Sequence, residues 1–146
     1  MLYGTGLVLR RLVLPGLALL VGASLSTSMA FLDEGTCRRF EGRAAGNDPD
    51  GVATLDLCRD GDRLWGLLRV EGQAGVSVGE MVGHVDRVGN VRLVDIDAVV
   101  DKPNDGWMFC FDDVYDLSWD PITSTVSGRY RSDECDDSGR VLLRAR

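Results

Sequence analysis

The sequence predicts an all-β protein, an eight-stranded antiparallel meander that closes into an up-and-down β-barrel with two disulfides. Three observations favour this fold class. After residue 30, apolar residues recur in short alternating runs and not with the period of about 3.6 residues that marks helices. Clusters of Gly, Asp and Asn separate these runs, and all 4 cysteines lie in this part of the chain. Closure into a barrel removes both exposed edges of such a meander; two packed sheets are the alternative.

The first thirty residues have the features of a signal peptide. Arg10 and Arg11 precede an apolar run over 12–21, and the segment ending at Ala30 offers small residues at a cleavage site. A membrane anchor is the alternative, but this run is too short to cross about 30 Å of hydrocarbon. We therefore expect a signal peptide over 1–30 and a single β-barrel domain over 31–146, located in the periplasm or outside the cell.

The first two strands are expected near 37–45 and 52–59, joined by a turn with the sequence Asn-Asp-Pro-Asp-Gly. If Phe40 lies opposite Leu55, strand alternation also places Cys37 opposite Cys58. The next three strands are expected near 63–71, 75–86 and 90–98.

The fourth expected strand changes parity along its length. Large side chains occupy even positions before residue 79, as at Val78, and odd positions after it, as at Met81. This change predicts a β-bulge near Gly79 and Glu80.

The longest hairpin is expected to join strands near 107–118 and 125–132, and a last strand is expected near 139–145. Alternation predicts that the large residues of the first arm share one face and point into the barrel: Trp107, Phe109, Phe111, Tyr115, Leu117 and Trp119. A register that pairs Trp119 with Val126 also pairs Leu117 with Gly128 and Tyr115 with Tyr130. Carried outward, the same register places Cys110 opposite Cys135.

Six large side chains from one strand would fill much of the interior of an eight-stranded barrel. We therefore expect a packed core with at most a shallow pocket near one mouth. On this interpretation, truncation of Phe109 to Ala costs about 3–5 kcal/mol, as for a buried aromatic residue.

The cysteines are expected to form the disulfides Cys37–Cys58 and Cys110–Cys135. An even number of cysteines in a small exported domain is typical of a disulfide framework. The cysteines also lack the short spacing found in zinc sites. The competing pairing joins Cys37 to Cys135, because the first and last strands of a closed barrel are neighbours.

Two segments, 64–68 (LWGLL) and 126–130 (VSGRY), place a glycine one or two positions from an aromatic residue. In this respect they resemble the strands of small exported β-barrels of the lipocalin and avidin type. The resemblance is architectural, extends over residues 37–145, and implies a barrel that binds a small ligand or inhibits a partner enzyme. The closing segment SGRVLLRAR is similar to the end of small periplasmic protease-inhibitor barrels.

The candidate ligand-binding residues belong to the long hairpin: Trp107, Phe109, Asp113, Tyr115 and Tyr130. Asp113 occupies an odd position, so strict alternation would point it inward, where a carboxylate is costly unless it is paired. A bulge at Asp112 and Asp113 would turn it to solvent or to the rim. Otherwise Asp113 is a polar anchor inside a ligand cavity.

Composition and motifs argue against several other functions. Without Arg10 and Arg11 the chain has 14 basic and 23 acidic residues, a formal charge of −9 that repels nucleic acid and anionic membranes. Many strands are short for an outer-membrane barrel and carry charges on one face, so we expect no membrane insertion after signal cleavage. His84 has no evident catalytic partner, and no enzyme, cofactor or metal motif occurs, nor calcium-loop spacing in the acidic turns.

These observations favour an exported, non-enzymatic binding protein for a small apolar ligand or a partner protein, with no cofactor. The alternative is a periplasmic or secreted enzyme inhibitor of the β-barrel type, acting through an exposed hairpin or terminus. A hydrolase with paired carboxylates is a third class, and it would require two acids that face one cleft.

Overall fold

A computed structural model describes residues 31–46 and 51–146, so the expected signal peptide and positions 47–50 of the first turn lie outside the described residues. The described residues form an all-β closed barrel of eight antiparallel strands without a helix. None of them therefore forms a helix of the length and apolarity that crossing a bilayer requires. The strands are β1 (Cys37–Ala45), β2 (Gly51–Asp60), β3 (Arg63–Gly72), β4 (Gly75–Val85), β5 (Asn90–Pro103), β6 (Val114–Asp120), β7 (Thr125–Ser132) and β8 (Asp137–Ala145).

Pairing between the first and last strands closes the barrel. Phe40 of β1 lies opposite Ala145 of β8, and Ala44 lies opposite Val141. Every strand consequently has a partner on both sides, and the alternative of two packed sheets is excluded.

Both hairpin registers expected from alternation are confirmed. In the first hairpin Phe40 lies opposite Leu55 and Cys37 lies opposite Cys58. In the hairpin of β6 and β7 the three expected pairs are present: Trp119 with Val126, Leu117 with Gly128 and Tyr115 with Tyr130. The described cysteines form the two expected disulfides, Cys37–Cys58 and Cys110–Cys135, and none of them is free.

The bulge expected near Gly79 and Glu80 occurs at that place in the ladder, but on β5 and not on β4. β4 keeps its register with β3 throughout, and the residues left without a partner are Ile96 and Val99 of β5. The register between β4 and β5 shifts between Val78 and Gly79 and again between Glu80 and Met81. β5 is longer than expected, because it continues to Pro103 along β4, whereas its pairing with β6 ends at Val94 opposite Val114.

The expected strand over 107–118 is wrong in its first half, since β6 begins only at Val114. The preceding residues cross from β5 to β6 as an irregular segment, 104–113, which we call the crossing segment. It begins with a turn in which Trp107 N donates to Asn104 O at 3.0 Å, and Gly106 adopts a positive φ of 85°. Two consecutive aspartates, residue types that are depleted in strands, precede Val114.

The expectation that all six large residues of this arm point into the packed core is corrected accordingly. Tyr115 and Leu117 are buried, and Trp119 packs against the core from a partly exposed position. Trp107, Phe109 and Phe111 lie in the crossing segment and are half-buried outside the core. The arm therefore supplies half of the interior packing that alternation predicted.

The core fills one half of the barrel. It is built mainly from aliphatic side chains on the inner faces of the strands: Leu55, Leu57, Leu64, Met81, Val91, Leu93, Leu117, Val126 and Leu143. Phe31 and Leu32 close this half from below. The ring of Phe31 lies 5.3 Å from that of Phe40 and 5.5 Å from that of Trp119, measured between centroids. We call Phe31 and Leu32 the plug. Arg59 Nη1 holds it in place by donating a hydrogen bond to Leu32 O at 2.9 Å.

Candidate functional site

A cavity of about 540 Å³ occupies the other half of the barrel, at the end opposite Phe31 and Leu32. It lies where β1, β3 and β7 end and where β2, β4, β6 and β8 begin. Small residues create this space, because they line it where the filled half has Leu or Met: Ala44, Gly51, Gly75, Ser77 and Gly79. The expected shallow pocket is thus a sizeable cavity.

The crossing segment forms one wall of the cavity and is attached at three places. At its start, Asn104 N donates to Ala74 O at 2.8 Å and Asn104 Nδ2 donates to Gln73 O at 2.9 Å. In its middle, Cys110 is bonded to Cys135 in the turn between β7 and β8.

At the end of the crossing segment, the Asp112 carboxylate accepts hydrogen bonds from the Ser132 hydroxyl and, at 3.0 Å, from Glu134 N. The Ser132 hydrogen bond, followed by those from backbone N–H groups, lowers the pKa of Asp112. Asp112 therefore fixes the wall to β7 and to the following turn.

Aromatic rings cover much of this wall and the adjacent strands. Trp107, Phe109 and Phe111 line the cavity from the crossing segment. Tyr115 and Tyr130 line it from β6 and β7, and their rings stack with centroids 5.6 Å apart and planes inclined by 29°.

Asp113 lines the cavity beside these rings. The Tyr115 hydroxyl donates to Asp113 Oδ2 at 3.0 Å. Burial raises the pKa of Asp113 to about 6, the Tyr115 hydrogen bond opposes that increase, and the nearby acids Asp112 and Asp137 add to it. Of the two placements considered for Asp113, the structure has the one inside the cavity, on irregular chain and not on a bulged strand.

The five residues expected to contact a ligand all line this one cavity: Trp107, Phe109, Asp113, Tyr115 and Tyr130. Sequence reasoning missed a sixth residue, Asp95, on the inner face of β5. The signal was available, because Val91, Leu93 and Asp95 alternate along one face and the first two are buried.

Asp95 is a carboxylate at the floor of the cavity, one inward position beyond Leu93. Only 8% of its surface is exposed, and Oδ1 has no hydrogen-bond partner among the described residues. The carboxylate packs directly against Gly79 of β4, so a Cβ at that position would have to displace it. Backbone contact joins the two cavity acids, since Asp95 N donates to Asp113 O at 2.9 Å.

Burial raises the pKa of Asp95 to about 7, and the charge of Asp113 adds to the increase. A hydrogen bond from the backbone N–H of Asp97 opposes the increase, whereas the charges of Asp112 and Asp97 reinforce it. Asp95 therefore keeps its proton to a much higher pH than an ordinary aspartate does.

The charged residues that line the cavity, among those the structure describes, are all acidic: Asp95, Asp113, Glu134, Asp136 and Asp137. One of these acids is bound to the tyrosine pair, because the Tyr130 hydroxyl donates to Asp137 Oδ2 at 3.0 Å. The cavity therefore combines aromatic walls with a concentration of negative charge.

The described residues include no group of three or more His, Cys, Asp and Glu side chains arranged to hold a metal ion. His84 is exposed on the outer surface of β4, where it lies opposite Arg63 and Arg92 on the neighbouring strands.

The fold and the cavity define a class of protein, a small disulfide-linked antiparallel β-barrel with an aromatic, acidic cavity at its mouth. Comparison of the chain with protein-family models, with curated proteins and with solved structures finds no match in any of the three. The cavity itself is consequently the feature from which a function can be inferred.

Proposed function

We propose that this protein binds a small ligand with an apolar body in the cavity at the mouth of the barrel. The observation that carries the proposal is the cavity of about 540 Å³ lined by five aromatic residues. Small-molecule sites have volumes of about 300–1,000 Å³, mostly apolar walls and a few convergent polar groups. The tyrosine pair and the two acids at the floor supply those polar groups.

The cavity is also preformed. The crossing segment is held by a disulfide and by hydrogen bonds to β7 and to the turn before β4, so a ligand would not have to order it. Binding then avoids the entropy cost of ordering a loop, which supports a role as a container.

We infer that the protein is exported, from the signal-peptide pattern over residues 1–30 and from its disulfides. Two disulfides are compatible with an oxidising compartment, such as the periplasm or the extracellular space. The architectural likeness to lipocalin- and avidin-type barrels supports the ligand-binding proposal, because those barrels hold one small ligand.

The ligand-binding proposal is tested with Nile red, a neutral apolar dye that fluoresces when it leaves water. Purified protein should enhance its fluorescence with a saturable dependence on concentration. Ser77→Phe, which places a ring in the cavity, should abolish the enhancement. The matched control is Ser127→Phe, at an exposed position of β7. Saturable binding that survives Ser77→Phe, or no binding by the parent protein, would refute a ligand site in this cavity.

Inhibition of a partner enzyme is the second candidate, and a separate observation favours it. Val88 and Ile122 are 81% and 86% exposed in two turns at the closed end of the barrel. These turns are neighbours, since Trp119 N donates to Gly89 O at 3.0 Å. Two exposed apolar side chains on adjacent turns suit insertion into a partner. Loss of inhibition in the double variant Val88→Ser, Ile122→Ser, with Nile red binding intact, would establish this function.

A hydrolase is the third candidate, because Asp95 and Asp113 do face one cleft. Paired carboxylates with raised pKa values are a common source of general acids and bases. The binding proposal predicts no turnover of chromogenic ester or glycoside substrates. Turnover by the parent protein that disappears in both Asp95→Asn and Asp113→Asn would favour a hydrolase over a binding protein.

A further inference from the structure

We propose that the ligand of this cavity carries a cationic amine group, which Asp95 and Asp113 bind at the floor while the aromatic walls hold the apolar body. This inference rests on the proposed ligand-binding function and specifies the chemical class of the ligand.

The first observation is the unsatisfied carboxylate of Asp95. Its side chain is 8% exposed and faces the cavity beside Gly79, and Oδ1 has no partner among the described residues. A buried anionic oxygen without a hydrogen bond is costly, and native proteins keep such a group where something else pairs with it. A cationic N–H donor placed at the cavity floor would provide that pair.

The second observation is the sign of the charge. The described lining residues include five acids and no Lys, Arg or His. A carboxylate or phosphate ligand would therefore be repelled by these acids, and a neutral ligand would leave the negative charge of Asp95 uncompensated. A cation is the one charge state that the cavity stabilises.

The third observation is the position of the rings. Tyr115 donates its hydroxyl to Asp113, so its ring and that carboxylate border the same space. Trp107, Phe109 and Phe111 line the cavity from the crossing segment, and Tyr130 stacks on Tyr115. Aromatic faces attract cations through their quadrupoles, and cages of several rings with an acid recognise ammonium groups.

An inorganic cation fits the same acids less well. Calcium takes 6–8 oxygen ligands, whereas the described residues offer no cluster of acids arranged for a metal. Rings, glycines and the disulfide make up much of the remaining lining, and their side chains add no carboxylate ligand. An organic cation with an apolar body uses both the acids and the rings.

The test compares three probes with the same alkyl chain and different heads, octylammonium, octanol and octanoate, by isothermal titration calorimetry of the full chain. The ammonium probe should bind at least about tenfold more tightly than octanol, and octanoate should bind most weakly. Asp95→Asn and Asp113→Asn should each remove roughly tenfold of the ammonium affinity while octanol affinity changes less than about twofold.

The control is Asp116→Asn, which removes an exposed acid from the outer face of β6 and should change none of the affinities. Equal binding of ammonium and octanol, or an ammonium preference that persists in both cavity variants, would overturn the inference and leave ligand binding intact. Failure of all three probes to bind would overturn the proposed function as well. Asp113→Asn serves as an independent variant if Asp95→Asn alters the fold.

Discussion

Asp95 is the residue at which the chain departs furthest from the requirements of a stable core. It follows Val91 and Leu93 on the inner face of β5, where a leucine would extend the filled half of the barrel. Burial disfavours the charged form of its carboxylate, and the charges of three other acids add to that effect: Asp113, Asp112 and Asp97. Residues that reduce stability in this way are characteristic of functional sites.

The first prediction concerns the pH dependence of stability at Asp95. Because the pKa is about 7 in the folded state and about 3.8 in the unfolded state, the unfolded chain loses this proton first as pH rises. The contribution of Asp95 to stability is therefore fully present below about pH 4 and is lost as pH rises to about 7. Asp95→Asn should match the parent near about pH 4 and exceed its free energy of unfolding by roughly 1–4 kcal/mol at about pH 8.

Urea titrations of both proteins across this range give the measurement. Asp116→Asn is the control, since its side chain is exposed and should shift the free energy of unfolding by less than about 0.5 kcal/mol. A difference between Asp95→Asn and the parent that does not grow with pH would contradict the burial argument.

The second prediction revises the expected cost of truncating Phe109. The sequence placed Phe109 in the core, whereas the structure places it half-buried on the cavity wall. Phe109→Ala should therefore cost only about 1 kcal/mol, because the cavity and solvent already border its ring. Leu117→Ala should cost about 2–5 kcal/mol, because Leu117 is buried among the core residues. If urea titration shows that Phe109→Ala lowers the free energy of unfolding more than Leu117→Ala does, the placement of Phe109 outside the core is contradicted.

At the scale of the elements, the strands and registers could be predicted to the extent that one face was apolar. Alternation fixed the pairing of β1 with β2 and of β6 with β7, because a slip of one residue would expose every core side chain. The place of the register shift between β4 and β5 could be predicted from β4, but the strand that carries the extra residues could not. Ser77, Gly79 and Met81 keep one parity toward the interior, and the unpaired residues lie on β5.

The crossing segment could not be predicted by this reasoning. Trp107, Phe109 and Phe111 alternate as strand residues do, but the wall of a cavity also needs rings on one side only. What distinguishes the segment is long-range: β5 turns away from β6 after Val94 and continues along β4. The cavity acids depend on the same divergence, so Asp113 could be singled out from the sequence but its neighbour Asp95 was not.

The third prediction concerns the two disulfides, which close loops of similar length and lie at different places. They join residues 21 and 25 positions apart, so the chain-entropy argument gives about 3 kcal/mol of stabilisation for each. Replacement of either pair by Ser should therefore lower the free energy of unfolding by similar amounts. Only the double variant Cys110→Ser, Cys135→Ser should also weaken Nile red binding. The disulfide that it lacks holds the cavity wall to the turn before β8.

The Cys37→Ser, Cys58→Ser protein is the matched control, since this pair bridges β1 and β2 away from the cavity lining. Equal Nile red affinity in both double variants would show that hydrogen bonds alone hold the wall in place.

At the scale of the whole molecule, the closure of the barrel could be predicted from the order of the strands. The division of its interior into a filled half and a cavity could not. Eight strands in sequence order have one closed arrangement, which the pairing of β1 with β8 completes. The number of strands does not say whether a barrel is filled or hollow, because eight strands permit either. The size of the inward-facing residues at each end decides which part is hollow. In β2, Leu55 and Leu57 lie in the filled half, whereas Gly51 lines the cavity.

The fourth prediction concerns processing of the chain. Amino-terminal sequencing of protein recovered from the exported fraction should begin at Phe31, because the signal-peptide pattern ends at Ala30. Phe31 and Leu32 are buried against Phe40 and Trp119, so the residues immediately after this site belong to the fold. Recovery of protein that begins several residues beyond Leu32 would contradict the expected site.

The plug formed by Phe31 and Leu32 has a practical consequence for handling the molecule. Arg146 N donates to Arg39 O at 3.0 Å, beside Phe40, so Arg146 lies at the same end of the barrel as the plug. An affinity tag or a surface linker joined at Arg146 would therefore anchor the barrel by its base and leave the mouth facing the solution. Immobilised in that orientation, the protein would present every cavity to a flowing sample, which suits it to serve as the capture layer of a sensor chip.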